Sequence, residues 1–551
     1  MSGQGEPLIR NAGEAAFSVE FGNEISIELN ERATALAALL EREPFEGFRE
    51  AIPTFRSVLV FHDPEADPEA IRSAALDLAR RAGREPARPP RRIEFPCVYD
   101  GEDLPDVAAR IGVSVEELIR IHSERDYRVF IIGFTPGFPY LGMADPRLDI
   151  PRRPIPRVRV PAGSVSMARA QTGIYPWVTP GGWHLLGRMD PALLFDPGKS
   201  PPSGCLPGDR VRFLPVAELP ERPAGATAAP PPPEGLPAVE VERGGLLTTV
   251  QDLGRPGYQR YGVPWSGAAD PASLLFANRA VGNPDGAAGL ECTLMGPVLR
   301  FRRPLLTALG GADQRAVLHL PGGGRWPVPV GTSFLAPGGS ILRFAGPPDG
   351  MRTYVALAGG IDVPEVLGSR ATYLTAELGG FEGRALRSGD RLHVGRTPQG
   401  ARENRFEPDA RRAPSAGPLR LRISLGPQEF AFTEECVDRL SELRFTVSND
   451  SNRMGVRLDG PILEHREGMK EIVSDANPHG TIQVPPGGHP IVMGADQGIT
   501  GGYPKIGNVV APDLARLAQA LPGAEVGLEV VSLEEARKIT LADLARRRSS
   551  G

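Results

Sequence analysis

The chain has 551 residues and a formal net charge of -5, with 62 Lys or Arg against 67 Asp or Glu. That length exceeds what one hydrophobic core serves and implies about three or four domains, and the interspersed charges leave no basic face of the kind a nucleic-acid partner requires. No apolar run approaches the roughly 18 to 20 residues that span a bilayer. Cys97, Cys205, Cys292 and Cys436 form no Cys-x-x-Cys pair, and the N-terminus has no basic stretch leading into an apolar one; the expectation is a soluble, cytoplasmic protein without a membrane partner.

In chain order, residues 16–20, 57–61 and 93–98 read as strands and 31–41 and 67–82 as amphipathic helices, the second with Asp67 as N-cap and Pro68 at the first helical position. Helices interleaved with strands predict a small ferredoxin-like α/β domain over 1–98. A short helical pair at 103–124 opens a second domain, 99–215, whose apolar runs are punctuated by Pro and Gly as in a barrel or sandwich of short strands. Residues 216–237, with Ala-Ala-Pro-Pro-Pro-Pro-Glu-Gly-Leu-Pro, predict an extended linker. Beyond it 238–551 is again β-rich, with helices at 272–281 and near 433–440, 512–520 and 533–547. Pro-Gly-Asp-Arg-Val-Arg-Phe at 207–213 is echoed by Ser-Gly-Asp-Arg-Leu-His-Val at 388–394, which shared turn chemistry explains nearly as well as duplication. The fold class expected is β-rich α+β.

The polar candidates cluster in a few glycine-rich blocks. Residues 479–507 crowd glycines around Gln483, Asp496, Thr500, Tyr503 and Lys505, and Lys505 is one of only four lysines in the chain. A compact ammonium kept among so many guanidiniums points to a charged ligand. Gly-Phe-Thr-Pro-Gly-Phe-Pro-Tyr-Leu-Gly at 133–142 is a loop stiffened by proline whose glycines let backbone approach a ligand. Residues 171–188 supply Gln171, His184 and Arg188 among aromatic walls, and the competing structural reading makes His184 a core side chain bonded to a carbonyl. Thr-Val-Gln-Asp-Leu-Gly-Arg-Pro-Gly at 249–257 puts Asp252 and Arg255 on one turn, and Asp270 reads as a helix cap. Glu291, Asn449, Asn452 and Arg453 complete the inventory. Gly198-Lys199-Ser200 is no phosphate loop, because Leu193 stands at the first glycine position and Pro201-Pro202 forbid the following helix. The eight histidines show no zinc spacing, and Met469-Lys470 lacks the flanks of a biotin-bearing hairpin, so no covalently attached biotin is expected.

Together these blocks resemble the B and C components of bacterial ATP-dependent 5-oxoprolinase, the allophanate hydrolase subunit 1 and subunit 2 families, fused in one chain. Residues 15–215 resemble the B component through the 133–142 block, Val-Pro-Ala-Gly-Ser-Val, Gln-Thr-Gly-Ile-Tyr-Pro and Pro-Gly-Gly-Trp-His-Leu-Leu-Gly-Arg. Residues 238–535 resemble the C component through the 249–257 block, Ala-Gly-Gly-Ile-Asp-Val-Pro, Leu-Gly-Ser-Arg, Asn-Arg-Met-Gly, Ile-Gln-Val-Pro-Pro and Thr-Gly-Gly-Tyr-Pro-Lys-Ile-Gly. The resemblance implies cyclophilin-like β-barrel domains in both halves, with two such lobes in the carboxyltransferase-like region 238–551, ATP and Mg²⁺ as cofactors, a separate A component as partner, and opening of the 5-oxoproline lactam to L-glutamate. It departs from the family pattern at Ala269, His489 and Ile499, the last removing a hydroxyl beside Asp496.

Such chemistry needs cations for phosphate, a carboxylate for metal or proton, and donors for an oxyanion. The residues expected to serve are Asp252, Asp496, His184 and Lys505 as catalytic groups, and Gln171, Arg188, Arg255, Asn452, Arg453, Gln483, Thr500 and Tyr503 for substrate and ATP. Two other resemblances compete: the carboxyltransferase subunit of a biotin-dependent urea or amide carboxylase, and a regulatory protein that inhibits a histidine kinase. Homo-oligomerisation is left open.

Overall fold

The computed structural model describes residues 6–83, 88–142, 144–221, 237–346, 348–403 and 417–549. Most of the expected linker, 222–236, lies outside the described residues.

The first domain is an antiparallel sheet of Leu8–Asn11, Ala16–Glu20, Ser57–His62 and Phe48–Pro53, in that order. Helices Ile27–Arg42 and Pro68–Arg81 cover one face, with Leu36, Leu40, Ile71 and Leu78 packed on Phe17, Val19, Val58 and Val60. Both helices start on side-chain caps, Ser26 accepting from the Leu29 N–H and Asp67 from that of Glu69. The layout is ferredoxin-like with one substitution. The edge place beside Ala16–Glu20, which a fourth strand after the second helix would take, is filled by Leu8–Asn11. Arg92–Cys97, assigned to this domain by the boundary at 98, instead pairs in parallel with Arg210–Pro215 in the next sheet. Strand propensity is local, whereas the choice of sheet is made by a partner more than 100 residues away.

That next sheet is a ring of seven strands: Arg92–Cys97, Tyr127–Ile132, Pro139–Gly142, Ser164–Ala168, Gln171–Ile174, His184–Arg188 and Arg210–Pro215. Numbered one to seven in chain order, they lie as 6-4-5-3-2-7-1, and the Val98–Arg188 bridge brings strand one back to strand six. The last domain is a closed ring of Leu419–Leu425, Arg444–Val447, Gly455–Asp459, Thr481–Gln483, Ile491–Met493, Lys505–Val509 and Glu525–Val530. Its order is the same, 6-4-5-3-2-7-1, with strands one and seven parallel in both rings and every other neighbour antiparallel. The two halves of the chain therefore each contain one copy of the same barrel, fully closed in the last ring and joined by the Val98–Arg188 bridge in the first.

Between the rings, residues from 238 onward build two sheets packed face to face, Val239, Val241, Leu299 and Leu342 of one meeting Val250, Leu290, Val355 and Leu357 of the other. Helix Pro271–Ala280, capped by Asp270, lies on the outer face of the second sheet. The free face of the first-domain sheet is covered by the last ring: Ile52, Leu59 and Phe61 pack on Ala476 and Ile499. This explains why strands Ser57–His62 and Ala16–Glu20 are buried at every position. It also explains Ile499, whose side chain is fully buried in this apolar seam, so the missing hydroxyl is exchanged for packing between domains. The C-terminal helix Leu533–Ser549 returns to the first domain, Arg537 donating to the carbonyls of Pro64 and Ala66 and Thr540 to Glu14. No helix among the described residues is long and apolar enough to cross a membrane.

Candidate functional site at the junction of the two halves

In the last ring, Lys505 opens strand six directly opposite Gln483, which ends strand four. A short ribbon of Asp475–Ala476 against Thr500–Gly501 stands at the same end. Against this ribbon the first ring brings its Gly133–Phe134 turn: the Phe134 N–H donates to Thr500 Oγ1 at 2.9 Å, and Tyr140 Oη lies 3.4 Å from that hydroxyl. Two glycines are required by the approach. A Cβ on Gly133 would lie 2.4 Å from Thr500 Oγ1, and one on Gly501 would lie 2.3 Å from Gln483 Nε2.

Lys505 is fully buried; its Nζ lies 3.7 Å from Asp475 Oδ2, beyond hydrogen-bond reach, and has no hydrogen-bond partner among the described residues. Burial pushes its ammonium below the usual lysine range, with Asp475 and Glu20 pulling the other way. Burial raises the Asp475 carboxyl, but the Lys505 charge and the Ser57 hydroxyl, donating at 2.7 Å, outweigh it and hold the group below the usual range. Ser57 belongs to the first domain, so a pair made within the second half is supported by a donor from the first. Beside it runs a series of amides: Gln483 donates to Asn477 Oδ1 at 2.9 Å, Asn477 to the Gly498 carbonyl and Gln497 to the Asn477 carbonyl.

A second cluster ties the last ring to the middle sheets. Arg453 donates to both oxygens of Asp496 at 2.8 and 3.0 Å, to Glu291 at 2.5 Å and to the Gly267 carbonyl at 2.7 Å. Burial opposes its charge, yet Asp496 and Glu291 hold the guanidinium firmly protonated. Glu291 is further satisfied by the Ala269 N–H and the Tyr354 hydroxyl, both at 2.8 Å. A small cleft of about 40 Å³ borders this cluster, lined by Asn452, Arg453, Arg352 and His479 among others. Such a space suits a water or two.

Arg255, on the loop after Gln251, is completely buried. It donates through Nη2 to the Ala371 carbonyl and through Nε to the Val366 carbonyl at 3.4 Å, and its Nη1 has no partner among the described residues. Burial lowers its pKa, with Asp252 and Asp496 acting against that. The loop is anchored by Glu50 of the first domain, whose carboxylate accepts from the N–H groups of Gly257 (3.1 Å) and Gln259 (2.6 Å), from Gln259 Nε2 (3.0 Å) and from Trp265 Nε1 (3.0 Å). The loop also meets the first ring, the Gly137 N–H donating to the Tyr261 carbonyl.

The structure thus brings Lys505, Gln483 and Thr500 together and sets Asp496 and Arg453 in the adjoining cluster. It separates others from them. Arg188 is exposed and paired with Asp100 at 2.7 Å at the far end of its strand. His184 bonds the Pro151 carbonyl at 3.0 Å, the structural alternative, although it occupies in the first ring the place that Lys505 has in the last. Asp252 is a loop clamp, accepting from the Gly254 and Arg370 N–H groups and the Ser369 hydroxyl at 2.8, 2.6 and 2.7 Å. Asn452 is exposed and accepts from the Met454 N–H; Gln171 and Tyr503 are half-buried. Glu50, Asp475, Asn477 and Tyr140 were not singled out from the sequence. Asp475-Ala-Asn477-Pro directly precedes the 479–507 block, which is the signal that could have extended it; Glu50 stands in an unremarked strand and offers none.

Mg²⁺ does not fit these carboxylates. Asp252 and Asp496 spend their oxygens on internal donors, so neither offers a free carboxylate to the ion.

Residues 7–205 match the family "Carboxyltransferase domain, subdomain C and D", and residues 261–530 match "Carboxyltransferase domain, subdomain A and B". The second half is 38% identical over 304 residues to the C-type subunit of 5-oxoprolinase from Escherichia coli, covering 93% of that protein and 54% of this chain. The first half is 41% identical over 224 residues to the B-type subunit of 5-oxoprolinase from Bacillus subtilis, covering 93% of that protein and 38% of this chain. The crystal structure of TTHA0988 superposes with a TM-score of 0.80 at 39% identity, covering 95% of this chain and all of that one. Urea amidolyase of Lachancea kluyveri matches at 32% identity over 55% of this chain, but only 17% of its own length. The chain accordingly belongs to the family of B- and C-type 5-oxoprolinase subunits, its first half of the B type and its second of the C type.

Proposed function

We propose that this protein is the B- and C-type component of an ATP-dependent 5-oxoprolinase, which opens the lactam of 5-oxoproline to L-glutamate together with a separate A-type subunit in the cytoplasm. The observation that carries the reading is the coverage: each half accounts for 93% of a relative named as a subunit of that one enzyme. The alternative, a carboxyltransferase subunit acting on urea or another amide, is favoured by the urea amidolyase match, which leaves most of that protein without a counterpart here. The kinase-inhibitor reading has no observation in its favour.

An unstrained lactam is a poor electrophile. ATP would supply a phosphoryl group to the lactam oxygen, releasing ADP; addition of water at the ring carbon and cleavage of the C–N bond then leave the opened chain as an acyl phosphate, which a second water hydrolyses to L-glutamate and inorganic phosphate. Lys505 at the junction and Arg255 on the 249–257 loop are fully buried cations, each with an N–H group lacking a partner among the described residues, and each is suited to an anionic oxygen. Gln483, Thr500 and Tyr140 are the neutral groups that orient it, and Asp475 keeps Lys505 in place. Arg453 with Asp496 acts as the brace that positions the Gly494–Gly502 segment. Arg188, His184, Asp252 and Asn452 act outside the chemistry. Because Lys505 and Arg255 are enclosed, substrate access requires the glycine-rich segment around Gly498, Gly501 and Gly502 to move.

The test is 5-oxoproline-dependent ADP release measured alongside glutamate formation, with the chain alone and with the A-type subunit. Glutamate and ADP formed only by the mixture support the reading. Absence of both, with urea-dependent carboxyl transfer from a carboxylated biotin carrier, would establish the alternative.

A further inference from the structure

The segment Pro151-Arg-Arg-Pro-Ile-Pro-Arg-Val-Arg-Val160 leaves the first ring and returns as a two-stranded ribbon, Arg157–Val160 against Thr179–Gly181. It carries the two most exposed large apolar side chains among the described residues, Val158 at 89% and Ile155 at 80%, with Val178 at 42% just before the returning strand. A rigid apolar projection rimmed by charge is the pattern of a protein contact.

The ribbon is held rigid from below. Arg153 and Arg157 both pair with Asp103 at 2.8 Å, and Arg157 Nε reaches Glu102 at 2.6 Å. Its two other arginines, Arg152 and Arg159, are exposed and make no hydrogen bond or ion pair among the described residues. The ribbon also borders the junction. Pro151 receives His184, and Arg152 lies close enough to Tyr140 and Tyr175 for its charge to act on both, Tyr140 being the neighbour of Thr500. A second copy docked ribbon to ribbon is a poor occupant, because a twofold axis through the ribbon would set Arg152 and Arg159 close to their own copies. A partner that offers carboxylates around an apolar patch satisfies both features.

We propose that this ribbon is the docking surface for the separate A-type subunit, which covers Ile155 and Val158 and pairs with Arg152 and Arg159 at the rim of the junction. The assignment rests on the 5-oxoprolinase reading. It is tested by titrating the purified A-type subunit into the full chain, into a Val158→Asp/Arg159→Glu variant, and into a Leu246→Asp control, Leu246 being 61% exposed in the other half. The ribbon variant is expected to raise Kd at least about tenfold, with binding to the control and the wild type alike. Equal binding by the ribbon variant, or equal weakening by the control, overturns the docking assignment alone. Failure of the wild type to bind the A-type subunit overturns the functional reading beneath it.

Discussion

Lys505 concentrates the residue-scale argument. Its rarity marks it in the sequence, but only the position of Asp475 just before the 479–507 block hints at its partner, because the contact is set by a ribbon pairing and by Ser57, which lies more than 400 residues from Asp475. Lys505→Met strands the Asp475 carboxylate and is expected to cost about 3 kcal/mol of stability. Combining it with Asp475→Asn should restore most of that loss in a denaturant titration while glutamate formation stays abolished; a double variant with full activity would reduce the pair to a structural role. Acidity acts elsewhere. His122 is enclosed in the first ring between Tyr99 Oη at 2.7 Å and Thr172 Oγ1 at 2.9 Å, and burial pushes its imidazole down to about 3. The unfolded chain takes up that proton near pH 6.5 whereas the native ring refuses it, so stability falls as pH drops from about 6.5 towards 3, by on the order of 3 kcal/mol at pH 4. His479, pushed down to about 4 by burial, adds in the same direction. Unfolding followed from pH 7 to pH 4 should show this slope, and His122→Asn should flatten it.

Elements with local signals were the legible ones. Asp67-Pro68 and Asp270-Pro271 each announce a helix start, and both helices begin there. The order of strands was not legible, since strands of three to seven residues in both rings find partners far along the chain. The echo at 207–213 and 388–394 shows the difference. Gly208 and Gly389 have φ of 93° and 92°, and Asp209 and Asp390 accept from the Leu206 and Arg387 N–H groups in the same manner. Yet Arg210–Pro215 runs parallel to the first strand of its ring, while Arg391–Leu392 runs antiparallel to Val239–Arg243. The echo is turn chemistry, and the architectural repeat lies between the two rings, where no shared motif was read. At the same scale, Glu50 fixes the Gly257–Trp265 loop. Glu50→Gln replaces a charged acceptor of four donors with an amide whose NH₂ faces donors, and should cost about 1–3 kcal/mol locally. Faster amide exchange at Gly257 and Gln259 is the expected reading; unchanged protection would mean that the loop is held by its packing on the first ring.

At the scale of the whole molecule, the glycine-rich blocks that stand apart in sequence meet at one place. The 133–142 turn, the 249–257 loop and the 479–507 block converge because the first-domain sheet and the last ring share the apolar seam of Ile52, Leu59, Phe61, Ala476 and Ile499. The blocks themselves were readable, as was their family likeness; their convergence was not, since it depends on how separate domains pack. Relatives carry the two halves as separate subunits, which makes the shared site open to a direct measurement. The halves 6–221 and 237–549, produced as separate chains, should form glutamate from 5-oxoproline only when both are mixed with the A-type subunit and ATP. Full activity from either half with the A-type subunit alone would contradict a site built from both.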